Sequence, residues 1–171
     1  EDQLVRFEAH RAIELAPFAV TPIPSLHKQP MKTAGAYEHI PARVASHADY
    51  PEGGTWALLL QIGEISVFNL GSANFIEHEI SGTRCDYLFL AIAGRTPEFV
   101  PRVLSSVTAE YVVPTHWDLF RSQPVKDAGE KYSTEEFVRE VRRVSPEQKV
   151  VVMQVLEELG IYQGGATDDV W

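Results

Sequence analysis

Six histidines, His10, His27, His39, His47, His78 and His116, are the residues of this 171-residue chain with most capacity for chemistry. An imidazole binds a metal through either ring nitrogen or moves a proton near neutral pH. None of the six forms a helical i, i+4 pair, so a compact metal motif is absent. No glycine loop of the dinucleotide or P-loop type occurs, and Gly53-Gly54 reads as a turn. Gly71-Ser72-Ala73-Asn74 lacks the second glycine of a serine-hydrolase elbow. Cys85, the one cysteine, reads as a small buried residue, because no base for it can be identified. The informative pattern is three loop positions that each follow a predicted strand: His27, Ser72 and His116. On one sheet edge they would converge. A catalytic zinc uses about three protein ligands and an open position for water, whose pKa it lowers to near 7. His27 and His116 supply at most two of those ligands.

The elements that must position these residues alternate in type. Phe18-Ala19-Val20-Thr21 predicts a short strand stopped by Pro22 and Pro24, which cannot donate to a ladder. From His27 to Gly54 the chain is polar and irregular, as in a lid or binding loop, with His47 and Asp49 reading as loop residues. Thr55 to Ile62 and Ile65 to Leu70 flank Gly63-Glu64 and predict a hairpin of two largely buried strands. Tyr87 to Ile92 is a continuous apolar run, expected for a strand covered on both faces. Thr96-Pro97 then opens a helix with Phe99, Val100, Val103, Leu104 and Val107 on one side. Tyr111 to Val113 is the next strand and leads into His116. Ser133 with Glu136 forms a capping-box pattern before a helix carrying Phe137, Val138, Val141 and Val144, with Glu135, Glu136 and Glu140 on a solvated face. Val150 to Val155 reads two ways: β-branched content favours a strand, the preferred reading, whereas Ser145-Pro146-Glu147-Gln148 would also cap a helix ending before Gly160.

Several of these segments resemble the C-terminal half of the metallo-beta-lactamase fold, a superfamily of metal-dependent hydrolases. Phe18 to His27 is similar to the segment that delivers that family's third-motif histidine, and Gly53-Gly54-Thr55-Trp56 with the hairpin through Leu70 resembles the strands leading to its fourth motif. Tyr111-Val112-Val113-Pro114-Thr115-His116-Trp117-Asp118-Leu119-Phe120 is similar to the final-motif segment, the most specific part of a likeness covering about residues 12 to 120. The resemblance implies an α+β fold, half of a four-layer αββα sandwich, with residues 1–171 as a single domain. It also implies that His27 completes a three-histidine site and that His116 belongs to the neighbouring one, with zinc or another divalent metal as cofactor. The family's His-x-His-x-Asp-His string is absent from this chain, and Ser72 stands where the family places a metal-bridging aspartate. A hydroxyl is the weaker ligand. Asp118 reads as a surface or helix-starting residue before it reads as a carboxylate orienting a ligand, and Trp117 and Phe120 read as core before pocket.

The implied function is hydrolysis of an ester, amide, lactone or phosphoester by metal-activated water, with this chain as a partial unit carrying an incomplete site. Two rivals stand beside it: a non-catalytic binding module that keeps the fold, and one subunit of a split hydrolase. With 15 Lys and Arg against 24 Asp and Glu, the net charge of −9 disfavours nucleic acid, which leaves a small-molecule substrate. The longest apolar runs fall short of the roughly 20 residues needed to span a bilayer, so no membrane association is expected. A single cysteine fits a reducing, cytoplasmic setting. The first residues, Glu1-Asp2-Gln3-Leu4, carry neither a leader pattern nor an initiator methionine, so the start reads as a cut. A sheet without its partner layer exposes apolar surface, so a homodimer or association with the missing N-terminal half is expected.

Overall fold

Among the described residues, seven strands form one sheet in the order β1-β2-β3-β4-β5-β6-β7, and three helices lie between them in sequence. The computed structural model describes residues 5–27, 54–117 and 133–153. The strands are β1 (Ile13–Leu15), β2 (Phe18–Ser25), β3 (Thr55–Ile62), β4 (Ile65–Asn69), β5 (Thr83–Ala91), β6 (Val107–Thr115) and β7 (Lys149–Val150). The helices are α1 (Glu77–Ile80), α2 (Phe99–Ser106) and α3 (Thr134–Val144). The first four strands pair antiparallel in succession, whereas β4 to β7 pair in parallel. Parallel neighbours need a crossover, and α1, α2 and α3 supply the three crossovers.

β2 does not stop at its prolines: it continues through Pro22 and Pro24 to Ser25, pairing with β3 as far as Thr55. The reason lies in the direction of the backbone groups. The Pro22 carbonyl accepts from the His10 amide at 2.8 Å, so the Pro22 backbone faces away from β3. Pro24, two residues on, faces the same way. β1 reaches only Val20, so the missing amides fall on an edge that has no ladder there.

The hairpin is as expected, with Ile62 opposite Ile65 and Gly63 in a left-handed conformation at φ 60°. Its strands are less buried than the sequence suggested, because only Ala57, Val67 and Phe68 among their residues are fully covered. The apolar run of β5 is buried throughout its centre, with Tyr87, Leu88, Leu90 and Ala91 all inaccessible. α2 begins two residues after Pro97, where the Thr96 carbonyl accepts from the Phe99 amide at 3.0 Å, and Val107 already belongs to β6. Ser133 caps α3 by accepting from the Glu136 amide at 3.1 Å. β7 (Lys149–Val150) takes in only the first residue of the Val150 to Val155 run, Val151 to Met153 lie beyond the strand, and the run past Met153 lies outside the described residues.

Side chains divide cleanly between the two faces of the sheet. Cross-strand partners share a face, so Leu59, Phe68, Leu88, Val112 and Val150 form one row. That row joins Ile80 of α1, Phe99, Val100 and Val103 of α2, and Phe137 and Val141 of α3 in the main core. The alternate residues point to the opposite face, where Val67, Tyr87, Tyr111, Val113 and Val151 cluster with Leu60, Ile65, Phe89 and Met153. No residue of the three helices joins that second cluster. At its far end the same face carries the cross-strand neighbours Leu15, Phe18 and Ile62, of which Leu15 and Ile62 are 40% and 42% exposed. Among the described residues, then, helices cover one face of the sheet and leave the other apolar.

Candidate functional site

Strand direction decides what meets at the sheet edge. β1 and β3 run against β2, β4, β5, β6 and β7, so the carboxyl ends of the last five all lie along one edge. His27 lies two residues past β2, Ser72 three past β4, Arg95 four past β5 and His116 immediately past β6. The carboxyl edge is also where open sheets with parallel strands build their ligand sites, because loops there can vary without disturbing the ladder. His27, Ser72 and His116 therefore share an edge, as their positions after strands suggested. In sheet order β3, β4 and β5 separate β2 from β6, a span of about 19 Å at the usual strand spacing.

The loops at this edge are tied to one another. After β4 the chain turns through Gly71, whose amide donates to Asn69 Oδ1 at 3.1 Å and whose φ of 79° is ordinary only for glycine. A Cβ there would stand 3.4 Å from the Trp56 carbonyl oxygen, an ordinary contact, so the left-handed backbone alone is what favours glycine. This turn leaves Ser72 buried at 8% exposure. Asn74, two residues on, reaches across β3 and donates from Nδ2 to the His27 carbonyl at 3.4 Å. On the other side, the Ile92 amide donates to the Thr115 carbonyl at 2.9 Å, joining the end of β5 to the residue before His116. His116 itself has φ 54°, a left-handed conformation that costs a non-glycine residue on the order of 1 kcal/mol or more. Both imidazoles belong to exposed residues.

Arg95 and Glu140 form the polar feature that the sequence did not announce. Arg95 is 2% exposed and donates from Nε to Glu140 Oε2 and from Nη2 to Glu140 Oε1, both at 2.9 Å. Glu140 thus faces the loop after β5 and not a solvated helix side; Glu135 alone of the three glutamates on α3 is fully exposed. The available signal was position: Glu140 stands between Phe137 and Val141, both buried, and Arg95 follows a strand that is covered on both faces. Other expected positions fall as follows. Trp117 packs against the main core. Cys85 is buried, and burial, followed by the charge of Asp86, pushes its thiol up to about 12, which removes it as a nucleophile. His10 is exposed and pairs with Glu79 at 2.6 Å, and His78 lies 3.5 Å from the same carboxylate. His39, His47, Asp49, Asp118 and Phe120, with the loop of residues 28–53, lie outside the described residues.

The donors at this edge suit zinc in kind, since neutral imidazole is a favoured ligand. In number they supply two imidazoles and a hydroxyl, and among the described residues no group of three or more His, Cys, Asp or Glu side chains is assembled. No helix among the described residues is long and apolar enough to cross a membrane.

Among solved structures, the chain is similar to the metallo-beta-lactamase fold protein YhfI from Bacillus subtilis, with a TM-score of 0.56 and 12% sequence identity. The likeness covers 88% of this chain and 52% of that one, so this chain spans about half the length of its structural neighbour. At that identity the likeness is one of fold. No family model matches the chain, and no curated protein matches it.

Proposed function

We propose that the chain is the C-terminal half of a metal-dependent hydrolase of the metallo-beta-lactamase superfamily. The observation that carries this reading is strand direction within a fold of that type: β2 and β6 deliver His27 and His116, and β4 delivers Ser72, to one edge of one sheet. Residues 1–171 form one unit of a four-layer αββα sandwich, and an N-terminal half supplies the second sheet and the remaining ligands. Association with that half, or with a second copy of the chain, is the expected assembly.

His27 would complete one metal position and His116 would belong to the neighbouring one, each offering a neutral ring nitrogen to zinc or another divalent ion, with the Ser72 hydroxyl on β4 at the strand end between them in sheet order. When bound, such an ion acts as a Lewis acid and brings the pKa of water to near 7. The substrate class is a small ester, amide, lactone or phosphoester, and the setting is cytoplasmic. A binding module without catalysis is the second reading, favoured by Ser72 in place of a carboxylate.

The test is hydrolysis of generic p-nitrophenyl esters and phosphodiesters by the protein as its gene encodes it. The hydrolase reading predicts turnover that a chelator abolishes, that zinc restores and that His116→Ala lowers at least about 100-fold, on the scale of a lost activating group. Turnover indifferent to chelator, or none with zinc supplied, contradicts it and leaves the binding module.

A further inference from the structure

The buried fork between Arg95 and Glu140 stands beside the candidate site without belonging to it. Burying a guanidinium is costly unless its donors are satisfied, and a two-pronged pairing fixes direction as well as distance. Besides the two bonds to Glu140, Nη1 donates to the Ile92 carbonyl at 3.3 Å, and the Arg95 backbone amide donates to that same oxygen at 3.3 Å. The guanidinium carbon also lies 5.6 Å from the centroid of the Phe137 ring, one turn before Glu140 on α3. Arg95 therefore pins the peptide that leaves Ile92 to a helix in the main core.

Ile92 carries the constraint onward. Its amide holds the Thr115 carbonyl at 2.9 Å. The Thr115 oxygen and the His116 amide nitrogen belong to one planar peptide unit, so holding that oxygen restrains where the His116 amide nitrogen can lie. From that plane His116 departs at φ 54°, a conformation that persists only where its surroundings impose it. The direction of the His116 Cα–Cβ bond follows from both, and that bond sets where the ring can reach.

We infer that Arg95 is a positioning residue for His116, acting through Ile92 and Thr115, with Glu140 as its anchor on α3. His27 lies at the other end of the site on β2 and takes no part in this relay. The inference rests on the reading of His116 as a metal ligand only for its consequence, since the relay itself is a matter of backbone geometry.

The experiment is long-range proton–nitrogen NMR of the histidine rings in the full chain, with and without zinc, comparing wild type with Arg95→Lys and Glu140→Gln. Lysine keeps the charge and loses the fork. Glu140→Gln interrupts the same relay from its other end, should the first variant fold poorly. The expected result is a change in the His116 ring signals of the metal-free variants, with those of His27 unmoved, and a zinc response of His116 weakened about 10-fold or more, as for supporting contacts around metal ligands. Unchanged His116 signals in both variants, or equal changes at His27 and His116, overturn the inference and leave the fork a structural clamp. A wild-type His116 that ignores zinc overturns the ligand reading instead, and the metal-free comparison still decides the relay.

Discussion

Tyr87 and Tyr111 stack across β5 and β6, with ring centroids 5.0 Å apart and planes 13° from parallel, on the sheet face that no described helix covers. Lys149 adds its ammonium 4.8 Å from the Tyr111 ring centroid and 3.4 Å from the Tyr111 hydroxyl. The Tyr87 hydroxyl, by contrast, is buried without a hydrogen-bond partner. A polar atom in that state costs about 1–3 kcal/mol. Tyr87→Phe keeps the stack and removes the orphan, so it should stabilise the fold by about 1 kcal/mol in urea unfolding. A loss of stability of that size would show that the hydroxyl has a partner in solution.

The Arg95–Glu140 fork predicts an asymmetry among the glutamates of α3. Glu140→Ala leaves a buried guanidinium without its counter-charge and should cost about 3 kcal/mol or more. Loss of the Glu136 side chain breaks only a surface pair with Arg139 and should cost about 0.5 kcal/mol or less. Equal losses for the two in parallel denaturation curves would contradict this account of α3.

Ser133 predicts the value of a cap. Its hydroxyl oxygen accepts from the Glu136 amide and its own proton goes to Glu135 Oε2 at 2.7 Å. That contact holds the Glu135 carboxyl below its usual range. Ser133→Ala should destabilise the chain by about 1 kcal/mol, and Ser133→Asn, which keeps the acceptor, should recover most of it.

The Cys85 thiol predicts a pH dependence. In the native chain burial raises its pKa from 9.0 to about 12, so the unfolded chain releases this proton first as pH rises. The unfolded state then binds fewer protons, and stability falls with rising pH between about 9 and 12. Below about 9 both states keep the proton and the group contributes no slope. Cys85→Ala should remove this part of the alkaline loss, seen as melting curves that shift less across that window than those of wild type, the remainder coming from groups such as the Tyr87 hydroxyl that burial also raises.

Much of this architecture is legible in the sequence because local rules and tertiary packing agree there. The hairpin at Gly63-Glu64, the cap at Ser133 and the buried run of β5 each follow from turn chemistry or apolar patterning that the fold does not override. His27, Ser72 and His116 were legible as loop positions after strands, and strand direction then places them on one edge. The extent of β2 was not legible, since whether Pro22 and Pro24 break a strand depends on which neighbour their backbones face. The partial exposure of β3 and β4 depends on sheet order, which no local pattern encodes. The pairing of Arg95 with Glu140 was not legible for a related reason: Glu140 reads as part of a solvated helix face until the fold brings Arg95, 45 residues away, against it.

Metal content decides whether His27 and His116 belong to a metal site. Elemental analysis of the protein as its gene encodes it, purified without added metal, should find at least about one zinc or other divalent ion per chain, in line with a catalytic site of this kind. Replacing His27 and His116 together by alanine should remove that metal while the protein stays folded. A wild-type protein free of metal after reconstitution, or a double variant that retains all of it, would contradict the account.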